Sequence, residues 1–200
     1  MAESKPRGRV NTVQDEALNN PSVPYTARFD ADLGSALLRE GGMPAEEIDN
    51  YKVKEIRRFP RQRRTLGYHS FQERTITLAH DPLWKKRKKK NTNPSMPFIH
   101  EASHAIDYAT GRETVEASRE MNSIRRSLSA TAGTLTFVAL TKLRVPAPSN
   151  ILFGIAAWDL TRKIAYQFSA EERRARKFAK ELGKDARWKD IVVLAPKQKR

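Results

Sequence analysis

The chain has 200 residues, of which 38% are hydrophobic and 30% are charged, so it is long enough to bury a core of its own. It contains no cysteine, which excludes disulfide bonds and thiolate zinc sites and leaves histidines and carboxylates to bind any metal. The formal net charge is +15, and the first twenty residues contain no apolar stretch typical of a secretory leader. We therefore expect a cytoplasmic protein, with attachment to a membrane surface as the alternative.

The first half of the chain is predicted to contain a disordered arm, two short helices and three strands. Residues 1–28 are polar and interrupted by prolines, which indicates the arm. Two adjacent glycines at 41 and 42 close the first helix. Ile76 and Leu78 share one face of the third strand. The predicted ranges are 30–42 and 43–50 for the helices, and 51–59, 64–72 and 73–79 for the strands.

A basic segment overlaps these strands and continues beyond them. Residues 51–90 contain fourteen Lys or Arg against three acidic residues, a local net charge of +11. Its most concentrated part lies in a predicted loop over 80–93, and such a run attracts nucleic acid or anionic lipid. A solvated loop that only aids solubility is an equally weighted interpretation. The residues predicted to bind a polyanion are Lys85, Lys86, Arg87, Lys88, Lys89 and Lys90.

A helix predicted over residues 94–111, entered at two prolines, contains an H-E-x-x-H motif. Residues four apart lie on the same face of a helix, so His100 and His104 can offer ring nitrogens to one Zn²⁺. Glu101 is rotated by one residue from His100, where a base can take a proton from a water held by the metal. The spacing therefore predicts a metal site and a general base together.

A third protein ligand must come from another part of the chain, because catalytic zinc takes three. Thr110 stands where the longer H-E-x-x-H-x-x-G-x-x-H signature has its third histidine, which excludes that class. The two other histidines in this half, His69 and His80, lie on or just after predicted strands, so a carboxylate is the expected donor. The candidates are Glu113, Glu116 and Glu120 on the following helix, and Glu171 and Glu172 on the last one.

The second half of the chain is predicted to be mainly helical, with helices over 113–143, 151–168 and 169–183. Its apolar stretches, 128–140 and 151–158, are shorter than the roughly 20 residues that a membrane span requires. We expect them to form a helical hairpin packed on the domain, with a shallow contact to an anionic bilayer as the alternative.

Two motifs together resemble those of the gluzincin zinc metallopeptidases. The H-E-x-x-H motif is followed downstream by "EERRARKFA", and the second gluzincin motif starts with a glutamate and has an alanine three residues later. Glu172 and Ala175 match these positions, whereas Arg176 stands where an acid is usual. The order of strands, H-E-x-x-H helix and glutamate helix also resembles the small SprT-like and anthrax-lethal-factor-like proteases. The resemblance covers roughly residues 50–183.

This resemblance implies a zinc-dependent endopeptidase that hydrolyses a polypeptide substrate. His100, His104 and Glu172 would hold one Zn²⁺ per chain, and Glu101 would activate the attacking water. Tyr166, six residues before Glu172, would stabilise the oxyanion.

Two residues near the motifs have further interpretations. Asp107 lies three residues beyond His104 on the same helical face and would orient a ligand imidazole, in place of the acid missing at Arg176. Ser169 and Glu172 also fit a capping box, in which the glutamate closes a helix end without any metal. Both interpretations of Glu172 are compatible, since a carboxylate is also favoured in a first helical turn.

We therefore expect an α+β protein with a small three-stranded antiparallel sheet packed on the H-E-x-x-H helix and a mainly helical C-terminal half. The metallopeptidase domain is expected over 29–184, with the apolar hairpin 128–158 as an insertion and a basic tail over 185–200. The resemblance also implies that the strand 73–79 lies at the sheet edge, where it would pair with substrate. The alternative function is a non-catalytic basic protein that uses this scaffold to bind nucleic acid or an anionic membrane surface.

Overall fold

The computed structural model of the chain describes residues 8–60, 65–90, 93–113, 115–167 and 169–197. The described strands are β1 (Asn11–Gln14), β2 (Tyr25–Phe29), β3 (Lys52–Ile56), β4 (Gly67–Ser70), β5 (Thr75–Ala79) and β6 (Val192–Pro196). The described helices are α1 (Ala31–Glu40), α2 (Ala45–Asn50), α3 (His80–Lys90), α4 (Met96–Ala109), α5 (Val115–Lys142), α6 (Ala147–Gln167) and α7 (Ala170–Leu182). They form two compact units, Met1–Glu113 with Ala175–Arg200 and Thr114–Arg174.

The first unit contains a mixed four-stranded sheet in the order β1-β3-β5-β4. β1, β3 and β5 run parallel, and β4 pairs antiparallel with β5. A separate antiparallel pair joins β2 to β6, with Phe29 opposite Val192. The α+β class predicted from the sequence is confirmed, whereas the prediction of a three-stranded antiparallel sheet is wrong.

The predicted edge strand 73–79 is also wrong, because β5 lies between β3 and β4. The physical reason is the burial of the β5 side chains. Ile76, Leu78 and Ala79 are fully buried, and side chains on both faces of β5 are covered, as in a central strand. β4 is short and exposes Tyr68, which suits the edge position that it occupies in this sheet.

Three strands lie where the sequence indicated none. β1 lies within the predicted disordered arm 1–28, and β2 begins within it and ends at Phe29. β6 falls within the predicted basic tail 185–200. Each is stabilised by a partner distant in sequence, since β1 pairs with β3 and β2 pairs with β6. The predicted loop 80–93 begins instead as the helix α3.

The sheet and α4 share one hydrophobic core. One face of α4 buries Phe98, Ile99, Ala102, Ala105 and Ile106 almost completely. These side chains belong to the same cluster as residues from α1, β3, β5, α7 and the segment before β6: Leu37, Leu38, Val53, Ile76, Leu78, Ala179, Trp188 and Ile191. The opposite face of α4 is therefore the one left to carry polar side chains.

The second unit is a hairpin of two long helices, α5 and α6, which pack closely on each other. Gly133 and Gly154 lie at their crossing, where a Cβ added to Gly133 would be 3.0 Å from the carbonyl oxygen of Gly154. Glycine is thus required for this close backbone approach. Within the described part of the chain, no helix combines the length and apolar character needed to cross a membrane.

Candidate metal centre

The two histidines of the motif project from the polar side of α4. Both side chains are partly exposed, and their ring centroids are 5.3 Å apart with the ring planes at 85°. One turn of helix separates them, as the sequence spacing predicted. Because the other side of α4 is packed in the core, the direction in which His100 and His104 point is fixed by that packing.

Glu172 brings a carboxylate to this pair. A ligand atom from each of His100, His104 and Glu172 can be chosen so that all three lie within 4.8 Å of one another. Glu172 is only 3% exposed, although it sits in the first turn of a helix. The same helix, α7, also contains Ala175 and Ala179, which are buried.

The capping interpretation of Glu172 also has a structural counterpart. The backbone N–H of Glu172 donates to the Ser169 hydroxyl at 3.3 Å, as an N-terminal cap requires. Capping here uses the main chain of Glu172 and the side chain of Ser169. This hydrogen bond does not involve the Glu172 carboxylate.

Glu101 lies against the first residue of the edge strand. A Cβ placed on Gly67 would be 2.8 Å from Cγ and 3.1 Å from Oε1 of Glu101. Any larger residue at this point of β4 would force the Glu101 side chain or the strand to shift. This contact could not be predicted from the sequence, because a lone glycine in a strand pattern has several structural explanations.

His104 has an acidic neighbour from the loop after α4. Its Nδ1 is 3.8 Å from Oε2 of Glu113, which is 4% exposed. The backbone N–H of Glu113 donates to the carbonyl of Asp107 at 2.9 Å, which fixes the loop on the end of α4. Asp107, predicted to orient a ligand imidazole, is itself buried and has Arg112 at 3.8 Å. Its predicted role stays a prediction.

A third histidine is close to the centre but is set apart by its environment. His69, on β4, has Nε2 3.2 Å from the Tyr51 hydroxyl, which also donates to the Ala105 carbonyl on α4 at 3.4 Å. Burial, and to a smaller extent the charge of His104, lower the pKa of His69 to about 3. His69 is therefore neutral at ordinary pH. Together with Tyr51 it links the edge strand to α4.

The remaining candidate carboxylates have other surroundings. Glu171 accepts a hydrogen bond from Arg125 at 3.1 Å within the second unit. Glu120 is exposed, and the side chain of Glu116 lies outside the described residues. Tyr166 has the Arg125 guanidinium over its ring at 5.5 Å, and its predicted oxyanion role stays a prediction.

The basic run begins on α3, where Lys85 and Lys86 are exposed. The side chains of Arg87, Lys88, Lys89 and Lys90 lie outside the described residues. Polyanion binding by this run stays a prediction. His80, at the start of α3, is fully buried with its Nε2 3.3 Å from Glu55, so it belongs to the interior of the first unit.

Comparisons of the chain with protein-family models, with curated proteins and with solved structures find no match. The site must therefore be interpreted from its own chemistry. Two imidazoles and one carboxylate converge, a second carboxylate stands one residue from the first imidazole, and an edge strand begins beside that carboxylate. Such an arrangement can hold a divalent cation next to a general base.

Proposed function

We propose that this chain is a zinc-dependent endopeptidase of the gluzincin type. The observation that carries the proposal is the convergence of His100, His104 and Glu172, whose donor atoms lie within 4.8 Å of one another. The three residues come from two helices separated by more than sixty positions in the sequence, so the local pattern of one helix does not explain their meeting.

The donor set fits zinc. Two histidines and one glutamate match a known catalytic zinc ligand set, and the chain has no cysteine that would favour a structural thiolate site. Softer metals favour sulfur ligands, and magnesium and calcium favour all-oxygen sites. When bound, the ion supplies Lewis-acid activation of water and charge stabilisation at the scissile carbonyl.

Glu101 acts as the general base and then as the general acid. Its carboxylate accepts a proton from the attacking water and transfers it to the departing amine nitrogen. The same side chain therefore takes up and releases the proton. Gly67 keeps this carboxylate in place by leaving the space that a side chain would fill.

Glu113 orients His104 in this proposal. A carboxylate near Nδ1 favours the tautomer with its proton on Nδ1, which assigns Nε2 to the metal and raises its basicity. The acid that the gluzincin motif usually carries at the position of Arg176 is thus replaced by one from the loop after α4. Glu113 was a candidate ligand in the sequence, and its distance to His104 favours this supporting role.

The substrate would extend the sheet at β4. Within the described residues β4 ends the four-stranded sheet, and its first residue lies beside Glu101. An extended polypeptide that pairs with β4 therefore passes the general base. The resemblance to the gluzincins implied β5 for this task, but β5 has neighbours on both sides.

Metal content and proteolysis measured on the same preparations test the proposal. We expect about one zinc per chain by elemental analysis in the wild type and in Glu101→Gln, and its loss in His100→Ala. Glu101→Gln should slow cleavage of an unfolded protein substrate on the order of 10²-fold or more, because glutamine cannot accept the proton. Val193→Ala, which changes an exposed side chain on the separate β2–β6 pair, serves as the control.

Two results would overturn the proposal. One is a purified wild-type protein that takes up no zinc after dialysis against the metal. The other is a Glu101→Gln variant that cleaves as fast as the wild type. The first result would favour the alternative in which the fold serves only as a basic binding scaffold.

A further inference from the structure

The hairpin of α5 and α6 has a polar, small-residue interior. Ser129 is fully buried between the helices and Asn150 almost fully, and two glycines, Gly133 and Gly154, form the close crossing. Asn150 donates to the Thr141 hydroxyl at 3.2 Å and to the Val145 carbonyl at 3.0 Å. Helix pairs that pack through small residues and polar side chains are frequent in apolar surroundings. In such surroundings the burial of large apolar side chains does not favour association of the helices.

The outside of the same hairpin is apolar. Ile151, Leu152 and Phe153 follow one another on α6 and are 53%, 68% and 56% exposed. Successive residues of a helix point about 100° apart, so these three side chains face widely different directions. On α5, Leu135 and Val138 are likewise exposed. A flat face of a partner protein could cover only part of this surface, whereas a fluid phase can surround it.

Charges are confined to the two ends of the hairpin. No charged residue lies between Arg126 and Lys142, or between Arg144 and Asp159. At 1.5 Å per residue, the first of these charge-free stretches is about 22 Å long. The segment 125–163 has six basic residues and one acidic residue, so its ends are complementary to anionic headgroups.

We propose that the α5–α6 hairpin is a membrane-binding element that sinks its charge-free middle into a bilayer with anionic lipids. Lys142 and Arg144 stand at the turn, so insertion with the turn leading would carry two charges into hydrocarbon, which is strongly unfavourable. The hairpin instead lies along the surface, with basic residues at both ends reaching phosphates and apolar side chains at the level of the acyl chains. This inference is independent of the proposed peptidase activity.

Vesicle flotation of the full chain tests whether the α5–α6 hairpin binds a membrane. We expect binding to vesicles of phosphatidylcholine with about one-third phosphatidylserine, and weaker binding to phosphatidylcholine alone. The double variant Leu152→Ser/Phe153→Ser should lower partitioning at least tenfold, since two exposed apolar side chains lose their contact with lipid. Val193→Ser, which removes an exposed apolar residue from β6, should bind like the wild type.

A second variant tests the contribution of charge. Lys142→Gln/Arg144→Asn should weaken binding to the anionic vesicles about tenfold and leave binding to neutral vesicles nearly unchanged. Arg144 has φ +59°, a backbone conformation that asparagine tolerates, so the turn should be preserved.

Fluorescence separates insertion of the hairpin from adsorption through α3. Trp158 lies on α6 within the apolar region, and brominated acyl chains should quench its emission in the wild type but cause little quenching in Trp158→Phe. Vesicle binding that survives Leu152→Ser/Phe153→Ser, or quenching that survives Trp158→Phe, would place the contact on α3 and overturn the proposal. Failure of the wild type to bind vesicles, with dimers in sedimentation velocity that the same double variant abolishes, would show that a second copy covers the hairpin.

Discussion

Gly67→Ala is predicted to slow catalysis without removing the metal. A methyl group at this position would lie 2.8 Å from Cγ of Glu101, whereas ordinary contact begins near 3.4 Å. The carboxylate or the start of β4 must therefore move by about 0.6 Å. Since a misplacement of about 1 Å at a reacting group can lower a rate on the order of 10²-fold, we expect kcat/KM to fall about tenfold or more.

The assay combines peptidase kinetics with metal analysis. Zinc content should stay at about one per chain, because the three atoms nearest the added methyl group all belong to Glu101, which is not a proposed ligand. Val193→Ala should leave kcat/KM within about twofold of the wild type, because it changes an exposed side chain outside the four-stranded sheet.

A double-mutant cycle with Glu101→Ala isolates the contact. Alanine lacks the Cγ atom that lies nearest Gly67, so Gly67→Ala should change the residual rate of Glu101→Ala only slightly. Full additivity of the two substitutions, or an unchanged rate in Gly67→Ala alone, would refute the reasoning that Gly67 positions the general base.

Three further predictions use the same protein. Glu172→Gln should lower zinc affinity at least tenfold in a chelator competition, because a neutral amide replaces an anionic ligand. Ser169→Ala should instead lower the free energy of unfolding by about 1 kcal/mol and keep the metal. Equal zinc affinity in both variants would exclude Glu172 as a ligand. Glu113→Gln should weaken zinc binding about tenfold, since the His104 ring loses the acid that orients it, and an unchanged affinity would contradict that role. The depressed pKa of His69, about 3 when folded against 6.5 when unfolded, means that only the unfolded chain takes up this proton as the pH falls through 6.5. Stability should thus drop by about 2 kcal/mol between about pH 7.5 and pH 5, and urea titrations of His69→Gln should show a correspondingly smaller drop.

Much of the candidate site could be predicted from the sequence because its core is local. His100, Glu101 and His104 lie within one helical turn and a half, and helical periodicity alone fixes their relative directions. The capping residue Ser169 was also predicted correctly, since a cap depends on neighbours three residues away. The long helices α5 and α6 followed from their composition and from the break at 144–150.

Only the tertiary structure decided the contacts between segments that are far apart in the chain. Whether Glu172 or another glutamate approaches the histidines depends on how α7 packs, and periodicity carries no such information. The strand order made β4 an edge strand and brought Gly67 to Glu101. The pairing of β1 with β3, and of β6 with β2, ordered segments that look polar or unstructured in isolation. The sequence by itself determined the chemistry within single elements, because backbone geometry repeats over a few residues. The neighbours of each element were chosen by burial and strand pairing, which are properties of the whole chain.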